Sequence, residues 1–333
     1  MGLLMSEHET TEDLSEVSRP PFGRLVRRTR PNLTFAQAPR IVLPPALQLQ
    51  LIRLYFQTVH ILCPALNEME VYDCYRQKDE GAHSVTPQEL VFQAILFSAF
   101  PYLSDEQLVQ SPFSSIASGQ KALFHLVRNM YHQLEHRHQG DIALVQTALL
   151  LSHWSPYDAS EEVNVFWADE AFHHATLGRL HEGRTPRDLV VWWCCMVRNR
   201  LLALGIRRPY TLRRYKPVRM LTIVDLSGKK PSFRSSLSRA RIYAAEIFIS
   251  LCKLSIVINE VVLLKHHASR WDEWRANEGF LDSADRHLDR IASIDRMLSL
   301  WNTSFEQTIA QFDESFMSRY FQVSLHTLRI IST

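Results

Sequence analysis

The chain has 333 residues, a formal net charge of +2 and 46% apolar residues, with 10 glycines against 15 prolines. That length suits one large domain or two modest ones, and so small a net charge provides no global field toward nucleic acid or a membrane. Scarce glycine argues against nucleotide-binding glycine loops and β-sandwiches. Five dispersed cysteines argue against a disulfide scaffold and for a reducing intracellular compartment.

Residues 1–40 read as a disordered tail. Glu7, Glu9, Glu12 and Asp13 near the start are incompatible with the layout of a signal peptide. The stretch RPPFGRLVRRTRP follows, where Arg24, Arg27, Arg28 and Arg30 cluster with few apolar side chains to offset ordering entropy. This cluster is a candidate nuclear-import signal or phosphate-contacting arm; a solvated linker has the same composition.

From Pro44 onward the pattern is helical. Leu47, Leu51, Leu54, Tyr55 and Val59 recur every three or four residues. Thr86-Pro87-Gln88-Glu89 supplies a cap, a first-turn proline and an acid placed to answer the cap's own N–H. Ser104 caps a short helix ending near Val109. Longer helices are predicted over about 118–136, 141–153 and 161–177. Thr185-Pro186-Arg187-Asp188 repeats the capping pattern and opens a helix whose residues Leu189–Val197 are all apolar, as expected of a helix enclosed on every side. A Pro/Arg/Lys-rich stretch, Arg207–Ser236, interrupts the pattern before helices over about 237–267, 283–300 and 304–331. The last carries a stripe of Phe305, Ile309, Phe312, Phe316, Tyr320 and Val323. The longest apolar run, Ala244–Leu264, holds Glu246, Lys253, Asn259 and Glu260, which suits a buried helix rather than a lipid-spanning one. The expected fold is all-α, a single large helical bundle over residues 41–333 behind the tail.

Catalytic and metal-binding patterns in the sequence are incomplete or missing. Zinc clusters need closely spaced cysteines, and the close pair here is Cys194-Cys195, whose side chains diverge by about 100° on a helix. They read as buried apolar thiols, and no metal or cofactor is expected. His132 and His136 sit at i and i+4 with His138 beyond, but without the His-Glu-x-x-His arrangement of hydrolytic zinc sites; histidine near a helix C-terminus also complements the dipole. His173-His174 and His266-His267 read as core or interface histidines. Asp282, Asp285, Asp289 and Asp295 have helical spacing, but Arg286, Arg290 and Arg296 lie among them, as on a solvated ion-paired face. Gly-x-Ser-x-Gly, Gly-x-Gly-x-x-Gly and P-loop patterns do not occur, so the chain is not expected to be an enzyme. Trp167, Trp192 and Trp193 suit either an aromatic effector pocket or plain core filling.

One stretch, Phe166–Pro209, carries a resemblance. Phe166-Trp167, Ala171, Ala175 and Leu177-Gly178-x-Leu180-His181 are followed by Arg187, Trp192-Trp193, Arg198, Arg200 and Arg208-Pro209. In order, spacing and type these resemble the fungal-specific transcription factor regulatory domain, the middle homology region of fungal zinc-cluster regulators, with wording closest to the cutinase-regulator branch. The likeness starts at Tyr55-Phe56-x-x-x-His60 and covers roughly 50–226. The chain departs from the family at Asn199, where the family has Asp, and at Arg207, where it has Gly; Arg213, Arg214 and Lys216 replace an acidic run.

The resemblance implies a nuclear, non-enzymatic regulator of fungal transcription, with Trp167, Gly178, His181, Trp192, Trp193, Arg198, Arg200, Arg208 and Pro209 as its structural or effector-pocket core. It implies another transcription factor or coregulator as partner, a homo- or heterodimer, or a small-molecule effector, and no membrane. No zinc-cluster module is recognised in the sequence, so DNA contact is expected to be indirect. A metabolic or secondary-metabolite gene cluster is the expected target. The alternative expectation is a degenerate copy serving as a small-ligand-binding or scaffold protein.

Overall fold

Short polar caps set most of the helix starts. The structure, a computed structural model, describes residues 41–77, 85–154, 163–206, 218–227, 236–268 and 280–312, with 322 and 324. The tail expected over 1–40, including Arg24, Arg27, Arg28 and Arg30, lies outside the described residues.

The first half holds α1 (Pro45–Gln57), α2 (Val59–Leu62), α3 (Glu68–Arg76), α4 (Pro87–Ala99), α5 (Asp105–Leu108) and α6 (Ile116–Glu135). The second holds α7 (Ile142–Leu151), α8 (Val163–Leu177), α9 (Pro186–Ile206), α10 (Ile223–Ser227), α11 (Ser236–Ala268) and α12 (Phe280–Ile309). Among the described residues there is no β-strand, and the all-α expectation holds.

Thr86 Oγ1 accepts from the Glu89 N–H at 3.1 Å and starts α4, while the Glu89 carboxylate takes a hydrogen bond from Gln93 Nε2 at 2.7 Å. Ser104 and Gln107 cap each other reciprocally at α5. At α9 the reciprocal bonds run from Asp188 N–H to Thr185 Oγ1 (3.1 Å) and from Thr185 N–H to Asp188 Oδ2 (3.0 Å). Such caps replace intrahelical partners that the first turn lacks.

Helix α9 lies at the centre, packed by α7, α8, α10 and α11. From Leu189 to Val197 all but Met196 are buried, as the unbroken apolar run predicts. Helix α7 is buried over nearly its whole length between α4 and α8. By length and composition α11 can cross a membrane, but 56% of its most apolar window is buried, with α9 and α12 among its neighbours.

The C-terminal expectation needs correction. Helices over 283–300 and 304–331 do not form separately: α12 runs unbroken through 301–303 to Ile309. Neither glycine nor proline stands between Leu300 and Ile309, and the Thr303 and Thr308 hydroxyls bond back to the carbonyls of Ser299 and Ser304 at 2.9 Å, so these weak formers are accommodated within the helix. Phe305 therefore belongs to α12, where its ring stacks on Trp301 at 4.8 Å. Phe312 follows in a turn, and Phe316, Tyr320 and Val323 lie outside the described residues. Similarly, Val59 belongs not to α1 but to α2, after a break at Thr58.

Candidate functional site

The Leu-Gly-x-Leu-His turn ends α8 and docks on the loop between α6 and α7. Gly140 has φ +79°, and its N–H donates to His174 Nδ1 at 3.2 Å. Its carbonyl oxygen comes so close to Gly178 that a β-carbon there would lie 2.4 Å away. Gly178 is thus required for close backbone approach. The left-handed residue that reverses the chain is its neighbour Arg179 (φ 57°, ψ 31°). Leu180, His181 and Glu182 form a single 3₁₀ turn, and Gly183 (φ 58°) leads into the α9 cap.

The tryptophans fill the core. Trp167 is 1% exposed and meets Tyr131 edge to face at 5.0 Å and Phe124 at 6.3 Å. Trp192 is equally enclosed, against Phe172 at 5.2 Å and His181 at 5.6 Å. Trp193 donates from Nε1 to the Arg219 carbonyl at 3.1 Å, tying the segment before α10 to α9. Each edge-to-face pair contributes about 1 kcal/mol beyond its buried area.

Arg198 and Arg200 act as internal ties. Arg198 donates from Nε to Ser152 Oγ at 3.0 Å and from Nη2 to the Ser152 carbonyl, placing its charge at the C-terminal end of α7. That position favours a cation. Arg200 reaches Ser255 Oγ on α11 at 3.1 Å. Burial lowers both guanidiniums to about 10, so they remain charged near neutrality. Asn199 is itself 5% exposed. Arg208 and Pro209 lie outside the described residues, as do Arg207, Arg213, Arg214 and Lys216.

The opening block of the resemblance docks on the same helix. Cys63, just after α2, lies against Cys194 of α9, and both belong to one buried cluster with Tyr55. Burial pushes the Cys194, Cys195 and Cys252 thiols up, which keeps them protonated and unreactive. Spacing along the chain gave no sign that Cys63 and Cys194 meet. The His60 ring packs on Phe56 at 4.9 Å; burial, then Arg241, lowers it to about 4.

The histidines near the end of α6 engage carboxylates, not each other. His132 Nδ1 is 3.2 Å from Glu135 Oε2, and His138 Nδ1 is 3.8 Å from Asp141 Oδ2. Glu135, Glu170 and His174 bring one ligand atom each within 4.8 Å. However, the Gly140 N–H occupies the Nδ1 lone pair of His174, so its proton sits on Nε2, the nitrogen 4.0 Å from Glu170 Oε2. A protonated Nε2 is a donor toward the carboxylates, and the trio does not fit a cation. His173 is exposed, while the side chains of His266 and His267 lie outside the described residues. On α12, Asp289, Asp295 and Arg296 are exposed and Arg290 pairs with Glu260 of α11 at 2.9 Å, in keeping with a solvated face; the side chains of Asp282 and Asp285 lie outside the described residues.

A cavity of about 400 Å³ opens between α3, α4 and α7. Leu66, Val71, Val91, Phe92, Ile95 and Ile142 make its apolar wall. First-turn or capping residues of four helices also line it: Asn67 and Glu70 (α3), Pro87 and Gln88 (α4), Asp141 to Ala143 (α7) and Arg187 (α9). Arg187 pairs with Glu70 across the rim. Gln146, 2% exposed, donates from Nε2 to the Ala65 carbonyl at 2.6 Å. Sequence reasoning named Arg187 but missed Gln146 and Glu70. A polar residue inside the apolar run IALVQTALLL was the available signal.

Two known proteins resemble the chain. Over 170 residues, 48% of the chain, it is 27% identical to a protein named "Transcription factor" from Fusarium pseudograminearum (strain CS3096), covering 18% of that protein. Over 221 residues, 63% of the chain, it is 24% identical to "Cutinase transcription factor 1 beta" of Fusarium vanettenii, covering 24%. The chain therefore spans about a quarter or less of the length of these fungal transcription factors. No protein-family model matches it, and no solved structure does.

Proposed function

We propose that the chain regulates fungal gene expression as a non-enzymatic, nuclear protein that works through its helical regulatory domain. It acts by contacts with another transcription factor or coregulator, or in response to a small effector, and tunes a metabolic or secondary-metabolite gene set. The observation that carries this reading is the similarity to two fungal transcription factors at 27% and 24% identity. The motif core around α8 and α9 agrees with it, because its tryptophans and arginines hold helices together and, among the described residues, present no nucleophile–base pair. Deletion of the gene in its host followed by transcript sequencing tests the proposal. A coherent set of transcripts should change, and a tagged copy should collect in the nucleus; an unchanged transcriptome overturns it.

The cavity beside Arg187 favours a second reading, a small-ligand-binding or scaffold protein without a transcriptional role. A ligand-stabilised protein that stays outside the nucleus in tagged cells would decide for it.

A further inference from the structure

We infer that the cavity between α3, α4 and α7 binds a compact, mainly apolar carboxylic acid that also carries a hydroxyl or N–H donor. The inference names an effector class for the regulatory reading and rests on that reading for its biological meaning. Three observations converge. The wall formed by Leu66, Val71, Val91, Phe92, Ile95 and Ile142 supplies apolar area, and about 400 Å³ lies within the range of small-molecule sites.

The polar atoms left over are complementary to such a molecule. Gln146 is buried on a cavity-lining turn, its Nε2 is committed to Ala65, and no donor among the described residues reaches its Oε1. That oxygen is the remaining acceptor of the amide, and an occupant's O–H or N–H can donate to it. At the rim, Arg187 Nε is buried without a partner although its Nη1 is held by Glu70. The part of its guanidinium exposed at the rim can donate to an oxygen entering from the cavity.

Charge points the same way. The N-terminal turns of α3, α4, α7 and α9, each eight residues or longer, line one space, and each brings a partial positive charge. The opposing carboxylates are already engaged: Glu70 by Arg187, and Asp141 by the Ala143 N–H and His138. A carboxylate at the Arg187 end and a donor at the Gln146 end complement both polar groups at once.

Calorimetry on the full chain with indole-3-butyrate tests this. The probe carries a carboxylate, an apolar body and one N–H. Its N-methylated derivative lacks the donor, and the corresponding alcohol lacks the carboxylate. We expect saturable binding of the parent acid, with each control at least tenfold weaker. Gln146→Leu should erase the penalty of N-methylation, and Arg187→Gln should erase that of the alcohol. Val91→Trp, filling the cavity, should abolish binding. Cys74 lines the cavity and is only half-buried, so the bound acid should slow its alkylation by N-ethylmaleimide in the unsubstituted chain, a readout independent of how any variant folds. Absence of saturation without protection of Cys74 overturns the inference, as does binding indifferent to N-methylation or to Val91→Trp. These measurements use purified protein, so their failure leaves the transcriptional reading standing, and an unchanged transcriptome leaves a positive binding result standing.

Discussion

Gly178 and Gly140 meet backbone to backbone: a β-carbon on Gly178 would lie 2.4 Å from the Gly140 carbonyl oxygen, while the Gly140 N–H binds His174 one helical turn earlier. The loop between α6 and α7 is thereby clasped to the end of α8. The glycine of the Leu-Gly-x-Leu-His turn serves this contact, and Arg179 adopts the left-handed conformation beside it.

That division predicts opposite effects at adjacent positions. Gly178→Ala must displace backbone and should cost about 1–3 kcal/mol, the range for forcing atoms into packed sites. Arg179→Gly relieves a left-handed L-residue and should stabilise by under about 1 kcal/mol after the entropy cost of glycine. Urea unfolding of both variants reads the difference, and equal destabilisation would refute the assignment.

Acid should weaken the fold. Burial lowers His174 to about 4 despite the nearby Glu135, and lowers His60 to about 4 as well, both from an ordinary 6.5. The unfolded chain therefore binds more protons than the native one between pH 6.5 and 4, so stability is full above 6.5 and is lost as pH falls toward 4. His174 alone contributes at most about 3 kcal/mol to that loss. Unfolding free energies measured at half-unit pH steps should show the decline, and His174→Gln should make it shallower, with His60 and His153 (lowered by burial to about 3) sustaining the rest.

Arg198→Lys should not rescue the tie to α7. The guanidinium spans the Ser152 hydroxyl and carbonyl together, and an ammonium lacks that planar fork. A loss of about 2 kcal/mol is expected, the scale of a hydrogen bond to a charged group. Chemical denaturation of Arg198→Lys beside Arg198→Met checks it, and wild-type stability in the lysine variant would count against the fork.

Continuity of α12 is testable with one exposed residue. Asn302→Pro removes a hydrogen bond inside the helix and should cost about 3 kcal/mol, whereas Asn302→Ala should be neutral or better. If residues 301–303 were a loop between two helices, the proline would be tolerated. Thermal unfolding separates the two cases.

Local chemistry made much of the fold legible. Thr86, Ser104 and Thr185 each start a helix where the caps predict, and the nine apolar residues from Leu189 mark the enclosed helix. The break expected between Leu300 and Ser304 does not form: Asn, Thr and Ser are weak helix formers in isolation, but within α12 the hydroxyls of Thr303 and Thr308 bond back along the helix. Of the candidate site, Trp167, Trp192, Arg198 and Arg200 were named from the resemblance, but their partners were not. Ser152, Ser255 and the carbonyl of Arg219 carry no pattern that announces a long-range bond.

By itself the sequence determined the all-α class, most helix starts and the apolar faces, because caps and 3.6-residue periodicity act within a few residues of the chain. Only the tertiary structure decided that Gly140 meets Gly178, that Cys63 lies against Cys194, and that Gln146 and Arg187 share one cavity. Those relationships depend on how helices distant in sequence cross, and crossing is settled by the packing of whole faces, which no local pattern specifies.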